Sequence, residues 1–241
     1  MTKLEEFQQE LLVLLKQMDA ICDKHGINYS LFGGTMIGAI RHNGFIPWDD
    51  DADVVFERVE YEKFLKVLPE NLIVFRKSWV QRFSHKDNPN IYLDIFVFDV
   101  APKSKITQKM QRLGLKAMQG TIKKKVTTKR GFIGATVSLF TYIIGLLFTH
   151  NFKLRVYDSI ARIFKNRPTG YIFSSLDQFK YIGHVLPRDV VISYKKVDFE
   201  NTSLKIMTGY DAYLKQFYGD YMKLPPKEMQ KPVHGNLARF D

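Results

Sequence analysis

The chain has 241 residues, of which 45% are hydrophobic and 25% are charged. This length and apolar content can bury the core of one domain or of two small ones, which excludes a disordered or fibrous protein. A single cysteine, Cys22, excludes an internal disulfide framework and a cysteine-based zinc cluster. The first apolar stretch has acids before and within it, unlike a signal peptide. We therefore expect a cytoplasmic protein.

The net charge of +11 is concentrated in one segment of the chain. Residues 103–169 contain 15 lysines and arginines and one acid, Asp158, so this segment alone carries +14. The rest of the chain is therefore slightly acidic. A segment this basic is typical of proteins that bind nucleic acid or an anionic membrane surface.

Hydrophobic patterning predicts the elements of the first hundred residues. Apolar residues recur at three- and four-residue steps over 3–25, which predicts an amphipathic helix that Gly26 ends. The next helix, over 35–42, is expected to be capped by Thr35. The stretch 91–100 is the clearest strand, because it is rich in β-branched and aromatic residues. The remaining predicted elements are strands at 28–32, 53–56, 72–75 and 79–83 and a helix at 59–68.

The middle of the chain is basic and then apolar. Residues 103–130 predict a basic helix, and residues 131–151 contain no Asp, Glu, Lys or Arg. The second stretch has about the 20 residues that span a bilayer core, although glycine, serine and threonine dilute it. Basic residues flank both ends of this stretch, so the positive-inside rule predicts no orientation for a span. We favour a helix that lies on or re-enters the membrane surface; a buried core helix and a true span are the alternatives.

Mixed patterning returns after residue 169, with a strand-like stretch at 185–193 and a helix near 210–217. We therefore expect a core formed by 1–100 and 170–241, interrupted by a basic helical insert at 101–169. The predicted fold class is α/β (α+β), a mixed sheet with flanking helices and this apolar insert.

The residues that carry chemistry lie within 31–56. Alternate side chains of a strand point to the same side, so Asp51 and Asp53 place two carboxylates together at a strand edge. Two like charges this close need a cation, and Mg²⁺ prefers carboxylates together with substrate phosphates. Gly33 and Gly34 precede a short helix, which lets the backbone approach a phosphate.

Asp94 is the third member of this predicted site. It interrupts the most hydrophobic strand of the chain, and a charge there is costly to bury unless it is paired or bound to a metal. A neighbouring strand would bring it to the two aspartates. Asp94 would then be a shared metal ligand or the base that takes a proton from an acceptor hydroxyl.

Three other interpretations of these acids remain open. They fit part of an EF-hand loop, with Asp49 first and Glu60 twelfth, but Val54 stands where that loop needs glycine and Pro47 where its entering helix ends. The acidic run also fits a solvated turn without function. Asp94 also fits a structural carboxylate in a salt bridge.

At 33–53 the chain has the pattern G-G-T-x-x-G-A-x-R-H-x-G-F-I-P-W-D-D-D-x-D. This pattern resembles the signature of the LicD family, which includes bacterial phosphocholine transferases and fukutin-related proteins. The tail YGDYMKLPP, at 218–226, is similar to the carboxy-terminal motif of the same family. The resemblance implies a nucleotidyltransferase-like fold and transfer of a phosphorylated alcohol, typically phosphocholine from CDP-choline, onto a cell-surface glycan precursor.

The resemblance also implies roles for individual residues. Gly33, Gly34 and Thr35 match the family's phosphate-side glycine motif, and Asp51 and Asp53 match its metal-binding D-x-D. Asp94 completes the predicted catalytic and metal-binding set.

Other substrate-binding candidates follow from the same match. Arg41 and His42 match the family's R-H pair; Arg41 is expected to contact phosphate, with a structural role as the alternative. The family often follows its P-P with an arginine and two histidines, whereas this chain has Gln230 and the single His234. This departure bears on the identity of the donor or acceptor.

Aromatic residues near the site offer a further prediction. Trp48 is expected to stack on a base or to pack beneath the metal loop. A quaternary ammonium donor favours an aromatic cage, for which Trp48, Tyr92 and Tyr218 are candidates.

Together these observations predict a Mg²⁺-dependent phosphotransferase, with Mn²⁺ as a substitute, that uses a CDP-alcohol donor and a glycan or lipid-linked glycan acceptor. Nucleotidyl transfer to a small acceptor and a non-catalytic, membrane-associated glycan-binding scaffold are the alternatives. The aromatic residues of the insert are not interleaved with basic ones, so we expect an anionic membrane surface as partner and no nucleic acid. The expected location is cytoplasmic and peripheral, on the inner face of the cell membrane.

Overall fold

The computed structural model describes residues 1–76, 78–126, 131–167, 169–177, 179 and 181–240. The helices are α1 (Lys3–Lys24), α2 (Gly33–His42), α3 (Arg58–Lys66), α4 (Lys105–Ile122), α5 (Gly131–Leu146), α6 (His150–Ala161) and α7 (Tyr210–Tyr218). The strands are β1 (Ser30–Leu31), β2 (Asp53–Glu57), β3 (Leu72–Phe75), β4 (Gln81–His85), β5 (Leu93–Val100), β6 (Tyr171–Ser174), β7 (Val185–Pro187), β8 (Tyr194–Phe199) and β9 (Thr202–Met207). Short 3₁₀ helices cover Arg188–Val191, Lys227–Met229 and Leu237–Arg239. The mixed α/β prediction is confirmed.

The chain divides into two compact units. The core unit consists of Met1–Phe75, Gln81–Val97 and Arg188–Asp241, and the helical unit consists of Arg76–Val80 and Phe98–Pro187. Strand β5 contributes to both, because its start pairs with β4 and its end pairs with β6. The helical unit contains the predicted insert and also the residues that follow it up to Pro187.

A sheet with the strand order β1-β2-β5-β4-β3 forms the centre of the core unit. The pairs β1–β2, β3–β4 and β4–β5 are antiparallel, and β8 and β9 form a separate antiparallel hairpin. This order places β2, which directly follows the acidic run, next to β5, which carries Asp94. The sheet therefore brings together carboxylates that are far apart in sequence.

The amino-terminal helix α1 closes one side of this core. Thr2 and Glu5 form a capping box at its start, which satisfies two N–H groups that the helix leaves unpaired. Leu11 and Met18 are completely buried. The prediction of an amphipathic helix ending at Gly26 is confirmed, since α1 ends at Lys24 and Gly26 has a φ of +61°.

Thr35 does not cap α2, contrary to the prediction. The helix begins two residues earlier, at Gly33, after an extended Phe32. The Thr35 hydroxyl instead accepts a hydrogen bond from the Asp53 N–H, at 2.8 Å. Thr35 thus ties the first turn of α2 to the start of β2.

Two predicted strands have different bounds in the structure. Strand β4 begins at Gln81 rather than at residue 79, and β7 ends at Pro187. Pro187 has no N–H with which to continue a ladder, and the chain after it forms a 3₁₀ helix.

In the helical unit, α4 contacts both α5 and α6. Buried polar side chains connect these helices to the chain that follows β6. The Tyr157 hydroxyl donates to the Ser175 carbonyl at 2.7 Å, and Gln119 Nε2 donates to the Asp177 carbonyl at 2.8 Å. The Tyr157 hydroxyl and the Gln119 amide nitrogen are therefore paired, whereas the buried Gln119 Oε1 accepts no hydrogen bond from the described residues.

The uncharged stretch 131–151 forms two helices rather than one. Helix α5 ends at Leu146, and Thr149 caps α6 by accepting a hydrogen bond from the Phe152 N–H at 3.3 Å. In the described part of the chain, no single helix has the length and hydropathy to cross a membrane. Helices α5 and α6 together have this length and hydropathy, but the chain bends by 116° between them. Residues 127–130 of the predicted basic helix lie outside the described residues.

Gly38 of α2 marks a close crossing of two backbone segments. An added Cβ there would collide with the Gly44 carbonyl and would lie 3.1 Å from the Ile46 nitrogen. Because backbone atoms cannot move aside cheaply, we expect Gly38→Ala to lower the free energy of unfolding by about 1–3 kcal/mol in urea denaturation. Gly114→Ala is the control, since its Cβ would make only ordinary contacts, the nearest at 3.6 Å from Ile160. An equal loss in both variants would contradict this account.

Candidate active site

The acidic run lies in the loop between α2 and β2, and side chains from two helices hold this loop. Gln8 of α1 donates from Nε2 to the Ile46 carbonyl at 3.2 Å and to the Asp49 carbonyl at 2.8 Å. At the far end of the loop, Thr35 accepts from the Asp53 N–H. The backbone that carries the acids is therefore fixed from both ends.

Asp50 points into the protein and holds the carboxy-terminal segment. Its side chain has no exposed surface. Its carboxylate accepts hydrogen bonds from the N–H groups of Val233 (3.2 Å), His234 (3.0 Å) and Asn236 (2.9 Å). Its carbonyl accepts a fourth, from Asn236 Nδ2 at 2.9 Å. The middle acid of the run is thus an anchor for residues 233–236.

Asp49 and Asp51, on either side of this anchor, face each other. Their carboxyl groups share a hydrogen bond. Burial raises the pKa of Asp49 well above its ordinary value, and the Asp51 charge adds to this shift. Burial likewise raises the pKa of Asp51, to which the Asp94 charge also contributes. Two desolvated acids in contact are the arrangement that a bound cation relieves.

His234 reaches this pair from the carboxy-terminal segment. Its Nδ1 lies 3.1 Å from Asp51 Oδ2. Side-chain ligand atoms of Asp49, Asp50 and His234 lie within 4.8 Å of one another, close enough to surround one metal ion. The Asp50 oxygens already accept backbone hydrogen bonds. Asp49 and His234 are therefore the two residues of this set that are available to bind a metal ion.

The two glycines at the start of α2 lie directly against the carboxylates. A Cβ at Gly33 would lie 2.9 Å from Asp53 Oδ2, and a Cβ at Gly34 would lie 2.8 Å from Asp49 Oδ2. Gly33 also has a φ of +52°, which favours glycine. The lack of side chains therefore lets the amino terminus of α2, with its positive dipole end, approach the acidic cluster.

Asp94 lies beside the acidic run, as its position on β5 requires. Its N–H donates to the Ala52 carbonyl at 2.9 Å. Its carboxylate accepts from Arg82 Nε at 3.1 Å, in an ion pair that is largely buried. The salt-bridge alternative thus describes one of its contacts, while its charge also acts on Asp51.

The metal-binding role predicted for Asp51, Asp53 and Asp94 stays a prediction, and the structure adds Asp49 to the same cluster. Strand β2 begins only at Asp53, so Asp49 and Asp51 lie in the loop before it, and the alternation rule does not account for the contact between these two acids. Glu60, the twelfth residue of the EF-hand alternative, instead accepts from the Asn28 N–H at 2.9 Å and pairs with Lys63. Glu60 is therefore engaged on α3 and not with the acids.

Arg41 fastens the tail motif to α2. Its Nη1 donates to the carbonyls of Tyr221 (2.7 Å) and Lys223 (3.3 Å), and its Nε donates to His42 Nε2 (2.9 Å). Burial and the Arg41 charge lower the pKa of His42, which favours the neutral ring that accepts this bond. These contacts favour the structural alternative for both residues over direct phosphate binding.

A pocket of about 400 Å³ adjoins the acidic cluster. Trp48 and Tyr218 are both among its lining residues. The Tyr218 hydroxyl also lies beside Gly33, 3.3 Å from where a Cβ would be, so this residue connects the pocket to the carboxylates. The third cage candidate, Tyr92, is elsewhere: Arg82 lies over its ring at 4.0 Å, and its hydroxyl donates to Asn236.

Comparisons with known proteins agree with the sequence pattern. The family model described as LicD/FKTN/FKRP, nucleotidyltransferase domain, matches residues 26–138. The lipopolysaccharide cholinephosphotransferase LicD of Haemophilus influenzae is 31% identical over 97% of this chain and 97% of its own. An uncharacterized protein of Rickettsia typhi is 34% identical over 36% of this chain and 28% of its own.

Proposed function

Because the chain belongs to the LicD family, we propose that it is a phosphotransferase that moves a phospho-alcohol from a CDP donor onto a glycan. The observation that carries this proposal is the buried cluster of carboxylates against the glycine-rich start of α2, next to a pocket with aromatic walls. The relative from Haemophilus influenzae is named for transfer of phosphocholine to lipopolysaccharide. Phosphocholine from CDP-choline, moved to a glycan or a teichoic-acid-type precursor, is therefore the specific form we propose.

The proposed reaction is an in-line displacement at the β-phosphorus of the donor. The acceptor hydroxyl oxygen forms a bond to this phosphorus, the bond to the bridging oxygen breaks, and CMP leaves with that electron pair. Asp94 takes the proton of the hydroxyl, and the Arg82 ion pair keeps its carboxylate oriented. The N–H groups at the start of α2, beside Gly33 and Gly34, bind the donor phosphates.

The donor set fits Mg²⁺, or Mn²⁺ in its place. Asp49, Asp51 and Asp53 offer carboxylate oxygens, which are the ligands that these hard cations prefer. The buried Asp51 and the partly buried Asp49 are in mutual contact with raised pKa values, an arrangement that costs free energy without a positive charge between them. When bound there, the ion would neutralise charge on the donor phosphates. His234, whose Nδ1 lies 3.1 Å from Asp51 Oδ2, would position this carboxylate or add a nitrogen ligand.

The pocket lined by Trp48 and Tyr218 is the proposed site of the alcohol. Aromatic faces attract a quaternary ammonium group, and Trp48 supplies the strongest face of this kind. Tyr218 lines this pocket and also lies beside Gly33, next to the carboxylates. A choline group in the pocket would therefore leave its phosphate near the acidic cluster. Nucleotidyl transfer to a small acceptor is the second candidate, because the matching family model is described as a nucleotidyltransferase domain.

Calorimetric titration tests the donor. CDP-choline, CDP-ribitol and CDP-glycerol are titrated into the purified protein with Mg²⁺ and, separately, with EDTA. We expect one donor to bind, with affinity falling about tenfold or more in EDTA and in Asp51→Asn. Asp87→Asn, at an exposed carboxylate of the β4–β5 turn, is the matched control and keeps full affinity. Failure of all three donors to bind would overturn the CDP-alcohol proposal and favour nucleotidyl transfer or a scaffold.

A further inference from the structure

Helix α5 has its large apolar side chains on the outside. Its exposed large residues include Phe132 (88% exposed) and Ile133 (80% exposed). The others on this face are Val137, Leu139, Phe140, Ile143 and Leu146. A helix that packs in water turns such side chains towards its neighbour, so this orientation is the reverse of the usual one.

Small residues form the opposite face of α5, which packs on α4. A Cβ at Gly145 would collide with the Thr121 carbonyl, and a Cβ at Gly120 would lie 2.5 Å from Thr141 Oγ1. The two helices therefore approach backbone to backbone. Close contact through glycine, serine and threonine, with large apolar residues pointing away, is typical of helix pairs whose outer face meets lipid.

The exposed apolar surface continues onto α4. Ile106, Met110 and Leu113 are exposed to 74%, 67% and 68% and follow one another at four- and three-residue steps, which places them on one stripe. Leu113 lines a groove of about 190 Å³ together with Val137 of α5. The two helices thus present a single apolar surface, far more extended than the scattered exposed residues of an ordinary protein surface.

The segment that forms this apolar surface is rich in basic residues. The segment 103–169 carries 15 lysines and arginines against one acid. Those that are exposed around α4, α5 and α6 are Lys103, Lys105, Lys109, Lys124, Lys125, Arg155, Arg162, Lys165 and Arg167. Lysines also border the groove itself, with Lys116 Nζ 4.6 Å from the centre of the Phe179 ring.

We propose that this surface of α4 and α5 docks on a lipid bilayer with anionic headgroups, with α5 lying in the interface. The apolar residues enter the boundary between headgroups and acyl chains, and the exposed lysines and arginines of the same segment meet the negative headgroups. A bilayer of this kind satisfies both the apolar and the basic feature. A second copy would bring two segments of charge +14 together, and nucleic acid would leave the apolar residues exposed to water. The docking is independent of the proposed reaction, although a lipid-linked acceptor would lie on the same surface.

Vesicle co-sedimentation of the full chain tests this docking. Vesicles of phosphatidylcholine alone are compared with vesicles that contain one quarter phosphatidylglycerol. We expect binding to rise about tenfold with the anionic lipid and to fall only in part at high salt, because the apolar contribution is not screened. Ile133→Glu is expected to lower the partition coefficient about tenfold or more.

Ile192→Glu is the matched control, since Ile192 is also 80% exposed but lies in the core unit. It should bind vesicles as the unchanged protein does, and both variants should keep the melting temperature because neither side chain is buried. Binding that is absent in the unchanged protein, or lost equally in both variants, would overturn the proposal. So would a dimer in light scattering that Ile133→Glu dissociates, which would assign the surface to a second copy.

Discussion

Asp51→Asn is expected to lower transfer activity by about 10²–10³-fold while the protein stays folded. Asp51 is buried, shares a hydrogen bond with Asp49 and contacts His234, so its carboxylate is central to the acidic cluster. Asparagine keeps the size of the side chain but removes its negative charge. Because this charge is desolvated next to other acids, its removal should leave the melting temperature equal to or above that of the unchanged protein.

Activity and thermal unfolding, measured on the same preparations, separate this expectation from simple damage. Asp49→Asn should behave in the same way, and the double variant should be little worse than either single one, since the two acids act as a unit. The exposed Asp87→Asn should change neither quantity. Full activity in Asp51→Asn, or a loss of activity that only follows a loss of folding, would contradict the assigned role.

Asp50→Ala is expected to have the opposite signature, a loss of stability of about 3 kcal/mol or more. Three N–H groups of the carboxy-terminal segment donate to this buried carboxylate, and alanine would leave them without an acceptor. Hydrogen bonds to a charged group are among the stronger ones, and unpaired buried donors add their desolvation cost. Urea denaturation measures the loss.

Hydrogen exchange shows where this loss acts. We expect faster exchange at 233–236 in Asp50→Ala, because these residues depend on the carboxylate, and little change in the N–H groups of α1. Asp87→Ala, at an exposed position, serves as the control. If Asp50→Ala were as stable as the control, the anchoring of the carboxy-terminal segment by Asp50 would be wrong.

These two aspartates also show what the sequence could and could not predict. The alternation of side chains along a strand grouped Asp51 with Asp53, but β2 begins at Asp53, and no such rule governs the loop that brings Asp49 to Asp51. The role of Asp50 depends on partners more than 180 residues later in the chain, and no local pattern carries that information. Elements with local signals were predicted well: β3 lies at the predicted 72–75, and α7 covers the predicted helix near 210–217.

The helical unit shows a second limit of sequence patterns. The lack of charge over 131–151 predicted one helix, but α5 ends at Leu146 and Thr149 caps a second helix, α6. Which side of α5 faces the protein was not visible from composition. Helix α5 turns its large apolar side chains outward because Gly145 and Thr141 fit closely against α4. This fit is seen only once the two helices are packed.

Identification of the released nucleotide tests the central claim most directly. Phosphorus NMR follows the purified protein with CDP-choline, Mg²⁺ and an extract of lipid-linked glycans. The proposed reaction predicts that the two diphosphate signals disappear as CMP and a glycan phosphodiester appear, and that Asp51→Asn abolishes this conversion. If CDP-choline stays intact while CTP and phosphocholine yield pyrophosphate, the protein transfers a nucleotidyl group and the proposed phosphotransfer is wrong.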